Sequence, residues 1–419
     1  MPNNFTRQEQ VIFDEMIEGF EADMAIAAAA RTFQPLNPEE QARAGDRMWV
    51  PMPQIAASYD GFDQTSNFGD LTELAVPVDI AFHKVVPQKF SSKELRVESA
   101  LRNRATAARQ KLTSDVNLAV FDTVALQGSV FVKRTVAPTG FDDIALADSA
   151  FSEIGVPMGD RVFGLAPRVA NSMAGNLASR ASGSKRDEDA YAKAVIDSDI
   201  AGFEVFKNSQ SRRLAAATGG VTTVNGASQF HEPVAQVPGT VVNQDNRYSN
   251  LTVTAANYAG IKVGDAFTIA GVNSINMVTK DDTGQLQTFR VVGKPSANVI
   301  QIAPALISNG GSTRAGTEYK NVTATPANGA AITWLNTTTA ELNPFFVRGA
   351  LLLVPGSYAV DPADGWQVMR ARTPTLGIGI TYTRQGEIND LSVKARWELD
   401  FGTSLLNPQM AGTMAFGQA

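Results

Sequence analysis

Two histidines, His83 and His231, are the only imidazoles in 419 residues, and cysteine is absent. The two lie far apart, in differently patterned segments, so neither a Ser-His-Asp nor a Cys-His constellation has its parts. Without cysteine there is no disulfide and no thiolate ligand. No H-E-x-x-H, C-x-x-C or phosphate-cradling P-loop is present. The stretch "LGIGIT" supplies Gly377 and Gly379 of a dinucleotide fingerprint but lacks the third glycine. It also leads into a strand-like run where that fingerprint needs a helix. "NQDNR" (243–247) and "KDDTG" (280–284) gather oxygen ligands, but not at EF-hand spacing, and such stretches ordinarily form turns. Linear order leaves one hydrolytic arrangement open: two carboxylates brought together by the fold. The reading is of a chain that is not an enzyme and takes no cofactor and no metal.

The elements that would position any site are those of a multidomain globular chain. Hydrophobic residues make up 44% and charged residues 19%, and the length suits two or three domains. The longest apolar runs, "MAIAAAA" and "ALLLV", are far short of a membrane span. The polar opening "MPNNFTRQEQ" lacks the pattern of a secretory signal, which together with the missing cysteines fits a cytosolic birthplace. Net charge is −6, which argues against wholesale nucleic-acid binding. Most of the excess acid sits in residues 1–23, where Glu9, Asp14, Glu15, Glu18, Glu21 and Asp23 face Arg7 alone.

Thr6 and Glu9 have the spacing of a capping box. Ile12, Met16, Phe20, Met24 and Ala27 continue one apolar stripe, so residues 7–30 are expected to form an amphipathic helix with an acidic outer side. "RMWVPMP" and "ELAVPVDI" read as strands flanking a polar, turn-rich segment, which makes a long projecting hairpin. From Ser92 to Gln127 there is no Gly or Pro, and Gly128 can end the helix. About 35 residues at ~1.5 Å each predict a rod of about 50 Å. Its basic first half (Lys93, Arg96, Arg102, Arg104, Arg109, Lys111) is interspersed with Glu94 and Glu98. That reads as salt-bridged surface, not as a nucleic-acid groove. "RVFGLAP" and "IAGFEVFKNS" read as strands, and "PRVANSMAGNLASR" and "KRDEDAYAKAV" as helices. "LTVTAA", "VGDAFTIAGV", "TFRVVGK", "NVIQIAPALI" and "NVTATPA" make an all-β block between the flexible joints "AAATGG" and "PANGAA". "FFVRGALLLVPG", "LGIGITYTRQG" and "LSVKARWELDFG" then return to strands, so a host fold is interrupted by an inserted barrel.

This order of modules resembles the major capsid proteins of tailed double-stranded DNA bacteriophages, with the Hong Kong 97-type fold. More narrowly it resembles the coat proteins of the short-tailed Salmonella phages, in which an immunoglobulin-like or telokin-like domain interrupts that fold. The likeness is carried by "FDEMIE" (13–18), "MWVP" (48–51), "DGFD" (60–63), "LTELAVPV" (71–78) and "AGFEV" (201–205). Within the insert it is carried by "VNGASQF" (224–230), "DNRYSNLTVT" (245–254), "VGDAFTIAGV" and "TFRVV", and at the end by "TRQGEI" (383–388) and "WELDFG" (397–402).

The resemblance implies an α+β architecture. It would comprise an N-terminal arm (1–50), an extended hairpin loop (51–80), a spine helix with the peripheral domain and part of the axial domain (81–220), an inserted β-domain (221–337) and the remaining host strands (338–419). It implies a subunit that builds hexamers and pentamers of an icosahedral head with a scaffolding protein, in the cytoplasm of a bacterial host. Its further partners would be a portal protein and a decoration protein. DNA would be enclosed without specific binding, and no membrane would be involved. Asp14, Glu15 and Glu18 are the positions matching a scaffold contact. The loop Val237–Asn250, with Asp245 and Arg247, matches a contact between capsomers. Asp60, Phe62 and Asp63 lie on the loop that would lap over a neighbouring subunit. Two rivals are a non-viral nanocompartment shell of the same fold, which the insert argues against, and a β-sandwich-bearing hydrolase.

Overall fold

A computed structural model describes residues 5–33, 47–53, 60–65, 68, 72–91, 93–94, 97–178, 199–235, 244–356 and 365–418. The second helix expected of residues 130–210, "KRDEDAYAKAV", lies outside them. The chain forms two compact units. One comprises Met1–Met48, Val78–Phe121 and Leu352–Ser404; the other comprises Trp49–Pro77, Asp122–Leu351 and Leu405–Ala419.

The first unit is built on a six-stranded sheet, whose edge strand Arg31–Thr32 runs parallel to its neighbour, Leu351–Pro355. Strand Ser392–Leu405 pairs on one side with Gly379–Glu387 and on the other with Phe82–Ser91, in unbroken register from Ser392↔Ser91 to Phe401↔Phe82. Alternation puts Tyr382, Ala395, Trp397 and Phe90 on a buried face. The N-terminal helix Arg7–Phe20 packs there, with Phe13 stacked on Trp397 at a centroid distance of 5.9 Å. The helix starts as expected: Glu9 N–H donates to Thr6 Oγ1, and Thr6 N–H donates to Glu9 Oε2 at 2.9 Å. It ends earlier than expected, at Phe20, and two short 3₁₀ turns follow. Met24 and Ala27 stay on the buried stripe. The buried Asn117 side chain, however, accepts the Ala27 N–H at 3.2 Å, which removes that donor from a continuing helix.

The long helix runs over Glu98–Gln127, six residues shorter at its start than the sequence suggested. Glu94 is held instead in a turn of its own, its carboxylate accepting from Ser91 N–H at 2.9 Å. The expected stripe is buried at Ala105, Ala108, Leu112, Val116, Ala119 and Val124. Arg104 pairs with Glu94 and Lys111 with Asp115.

In the second unit a mixed sheet has the order Val130–Lys133, Ala411–Ala415, Asn343–Val347, Arg161–Leu165, Phe203–Lys207, Asp199–Ile200. The last two strands join through Ala201 (φ 50°) and Gly202 (φ 75°), a pair of left-handed residues of the kind a two-residue hairpin turn requires. Helix Phe141–Ile154 covers the sheet, and Phe151, Phe163, Phe203 and Phe345 meet beneath it. The Phe151–Phe345 centroids are 4.8 Å apart and those of Phe163 and Phe345 5.5 Å apart.

The β-domain of this unit has six strands in the order Thr222–Thr223, Ala331–Trp334, Ala266–Ile275, Asp282–Ser296, Val299–Ala303, Ser249–Thr252. A bridge between Val224 and Val253 joins the two ends, so the sheet closes into a barrel without a free edge. Phe267, Ile269, Phe289, Val291, Ile300 and Ile302 fill it. "NVTATPA" contributes one bridge, Ser274↔Val322, and no strand. "PANGAA" is also not the exit joint, because Ala331–Trp334 is a barrel strand and the chain leaves after it. Entry and exit are fastened together: Leu214 pairs with Ala340, and Ala217 N–H donates to the Asn336 carbonyl at 2.8 Å.

Phe345→Ala should lower subunit stability by about 3–5 kcal/mol, the range for emptying a phenylalanine site in a packed core; chemical denaturation measures it. A fragment spanning 221–337 should fold as a β-rich domain, because its core and closure lie within it; a spectrum of disordered amides would contradict this.

Candidate assembly surfaces

The acids of the N-terminal helix divide by partner. Glu9 is buried, and besides closing the capping box it pairs with Arg384. Glu21 accepts N–H donors from Thr375 at 2.9 Å and Leu376 at 2.7 Å, and these bonds hold its carboxyl below the usual range against the opposing effect of burial. Glu15 is exposed but paired with Arg102, which also donates to Glu98 at 3.0 Å; the bond from Arg102 holds Glu15 below its ordinary value. Asp14 and Glu18 stand exposed on the outer side.

The projecting hairpin has Arg47–Pro51 and Ala75–Asp79 as its paired strands. Arg47 and Asp79 clasp its base through two bonds of 2.6 and 2.9 Å. Toward the tip, Asp63 accepts from Thr65 N–H at 3.1 Å and Oγ1 at 2.7 Å, which lowers its carboxyl pKa. Gln64 donates to the carbonyls of Asp60 and Gly61 at 3.0 and 2.7 Å. These local bonds give residues 60–65 a definite turn. Phe62 is fully exposed, and Phe68 is 87% exposed.

Residues 237–243 of the expected contact loop lie outside the described residues. Asp245 and Arg247 do come together, with Arg247 Nη2 2.7 Å from Asp245 Oδ2. Arg247 is only 8% exposed, contrary to the surface position expected of it. Its Nη1 donates to the Leu405 carbonyl at 2.8 Å, and its guanidinium lies 4.8 Å from the Tyr248 ring centroid. The bond to Leu405 spans 158 residues, so nothing in the local polar stretch could announce it.

Catalytic geometry does not emerge around either histidine. His231 is buried against Asn246, its Nε2 3.2 Å from Oδ1, and burial pushes its pKa down. His83 pairs with Asp400 through Nδ1 in the other unit. A cavity of about 530 Å³ in the first unit is walled by Lys89, Trp366, Thr383, Arg384, Lys394 and Arg396 among others, with no carboxylate among the described residues. A second, of about 480 Å³ in the other unit, has Glu341 as its one carboxylate among the described residues. Among the described residues no cluster of three or more His, Asp or Glu could hold a metal, and no helix is long and apolar enough to cross a membrane.

Among solved structures the chain is similar to that of Mycobacterium phage Che8, with 11% identity, 93% of this chain and 90% of that chain covered and a TM-score of 0.43. It is similar to the bacteriophage PhiM1 mature capsid, with 7% identity, coverage of 94% and 87% and a TM-score of 0.42. It is also similar to the CUS-3 coat protein I-domain, with 43% identity over 28% of this chain and 96% of that one, at a TM-score of 0.23. The family model described as "P22 coat protein - gene protein 5" matches residues 1–417. The fold mixes helices and strands, an α+β architecture. The chain belongs to the P22 coat protein family and is a major capsid protein, a non-enzymatic building block of a phage head that assembles with copies of itself in the virion.

Proposed function

We propose that the subunit forms hexamers and pentamers of an icosahedral head, and that two surfaces direct their assembly in the host cytoplasm. The first is the turn at residues 60–65, together with Phe68. Its own hydrogen bonds fix the turn while Phe62 and Phe68 remain in water. This observation carries the reading, because a braced turn that displays Phe62, with a second exposed phenylalanine at 68, gains the burial of these rings only from a neighbouring copy. Asp60 and Asp63 flank the same contact.

The second surface is the outer side of the N-terminal helix, as the docking site of a basic segment of a scaffolding protein. Glu9 and Glu21 hold the helix on its own sheet, which leaves Asp14 and Glu18 as the freely presented charges, with Glu15 shared with Arg102. Asp245 belongs to the contact between capsomers, with Arg247 as its internal support. Portal and decoration proteins would join the same shell, and the DNA within would meet no specific site.

Phe62→Ser together with Phe68→Ser should leave the melting of the unassembled subunit unchanged and reduce the yield of closed shells at least several-fold by sedimentation. Shells forming at parental yield would remove the loop from assembly. Charge reversal at Asp14 and Glu18 should weaken scaffold-dependent assembly more than removal of Glu15. The defect should shrink with added salt, since exposed charges are screened over about 8–10 Å. Particles assembled normally at low salt by the reversed variant would refute the scaffold reading.

A further inference from the structure

The last turn of the long helix is buried in the second unit. Ala125 is fully buried, and a Cβ on Gly128 would meet the Val124 carbonyl oxygen at 2.7 Å and the Ala411 backbone at 2.9 Å. A helix end leaves carbonyls without intrahelical partners, and water cannot serve them in such a place. Gly128 N–H closes on the Val124 carbonyl at 3.0 Å. The Ala125 carbonyl accepts from two distant side chains, Thr413 Oγ1 at 3.2 Å and Arg290 Nη2.

Arg290 belongs to barrel strand Asp282–Ser296 and is completely buried. Its Nη1 donates to the Gly264 carbonyl of the barrel at 2.9 Å, and Nη2 also lies 3.2 Å from Thr413 Oγ1. Its guanidinium sits 5.1 Å from the Phe131 ring centroid. Burial pushes its pKa down, and Asp265 pushes it back up. Two residues earlier on the strand, Thr288 Oγ1 donates to the Ser129 carbonyl at 2.7 Å and accepts the Phe131 N–H at 3.3 Å. Tyr248, just before another barrel strand, donates to Gln127 Oε1 at 3.0 Å. Three barrel side chains thus serve the segment 125–131.

We infer that the barrel acts as the C-terminal cap of the long helix, with Arg290 as the positioning residue that joins the two through the Gly264 and Ala125 carbonyls. The charge suits the place, because a cation at a helix C-terminus opposes the negative end of the helix dipole. The fork of a guanidinium also lets its two terminal nitrogens serve carbonyls of different segments, which a single ammonium does less well. Within the barrel the charge faces the buried Asp265 and serves the Gly264 carbonyl. Its second terminal nitrogen is directed at the helix end, where it serves the Ala125 carbonyl.

Amide hydrogen exchange on the full chain tests this. Asp265→Asn serves as the reference background, so that no unpaired carboxylate is left when the arginine is removed. Adding Arg290→Met to it should speed exchange at residues 124–133 by about tenfold or more, while amides of 267–269, 289–291 and 300–302 stay within about threefold, since local opening can occur below the global unfolding free energy. Arg290→Lys in the parental chain should give a smaller opening at the same residues. Equal loss of protection in barrel and helix end would mark ordinary core damage and overturn the inference, as would unchanged exchange at 124–133. If the double variant does not fold, the lysine variant decides by the same pattern: selective opening of 124–133 supports the cap, and uniform or absent change refutes it.

Discussion

A buried helix end must have its carbonyls satisfied, and in this subunit the donors come from segments separated by hundreds of residues in sequence. Ala125 is served by Arg290 and Thr413, and Ser129 N–H donates to the Pro408 carbonyl at 2.9 Å. The barrel strand, the C-terminal strand and the helix must therefore be in place together for all of these bonds to form. Entry and exit are stapled by Asn336, whose side chain donates to the Ala215 carbonyl at 3.1 Å and to Asp265 Oδ1 at 2.9 Å. The joint that admits the barrel is thus tied to the carboxylate that faces Arg290.

The elements legible in the sequence were those whose cause is local. The capping box, the stripe of the long helix, the hairpin strands and the alternation in "GITYTRQGE" all follow from spacing alone. The misread features have causes elsewhere in the chain. The first helix ends at Phe20 and the chain turns extended at Met24; the stripe continues beyond it because the following 3₁₀ turns keep the same residues buried, the second of them held by Asn117 through the Ala27 N–H. "NVTATPA" has strand-like composition but pairs at a single residue.

The two arginines of the β-domain show the same limit. Arg247 sits in a polar stretch and is buried by a carbonyl 158 residues away. Arg290 sits between Phe289 and Val291, whose side chains fill the barrel, and strand alternation turns the arginine to the opposite face. In a free-standing barrel that face would be solvated, and an arginine there would be unremarked. A lone cation inside an apolar strand was the available signal. Its meaning depended on what covers the outer face, which the sequence does not specify.

The N-terminal acids could be read as a cluster but not divided into roles. A helix held only by its apolar stripe could rotate or detach while the stripe found other apolar partners. Glu9 and Glu21 prevent this with directional bonds near its two ends, one to a guanidinium and the other to two backbone N–H groups. Because those two carboxylates are drawn inward, the charges left on the outer side occupy fixed positions on a fixed helix. On the proposed reading, a basic scaffold segment would meet a preorganised pair, Asp14 and Glu18, about one turn apart, and would lose less freedom in binding than it would on a loose acidic tail. The same number of acids without the inward two would give attraction at long range but little registration at contact.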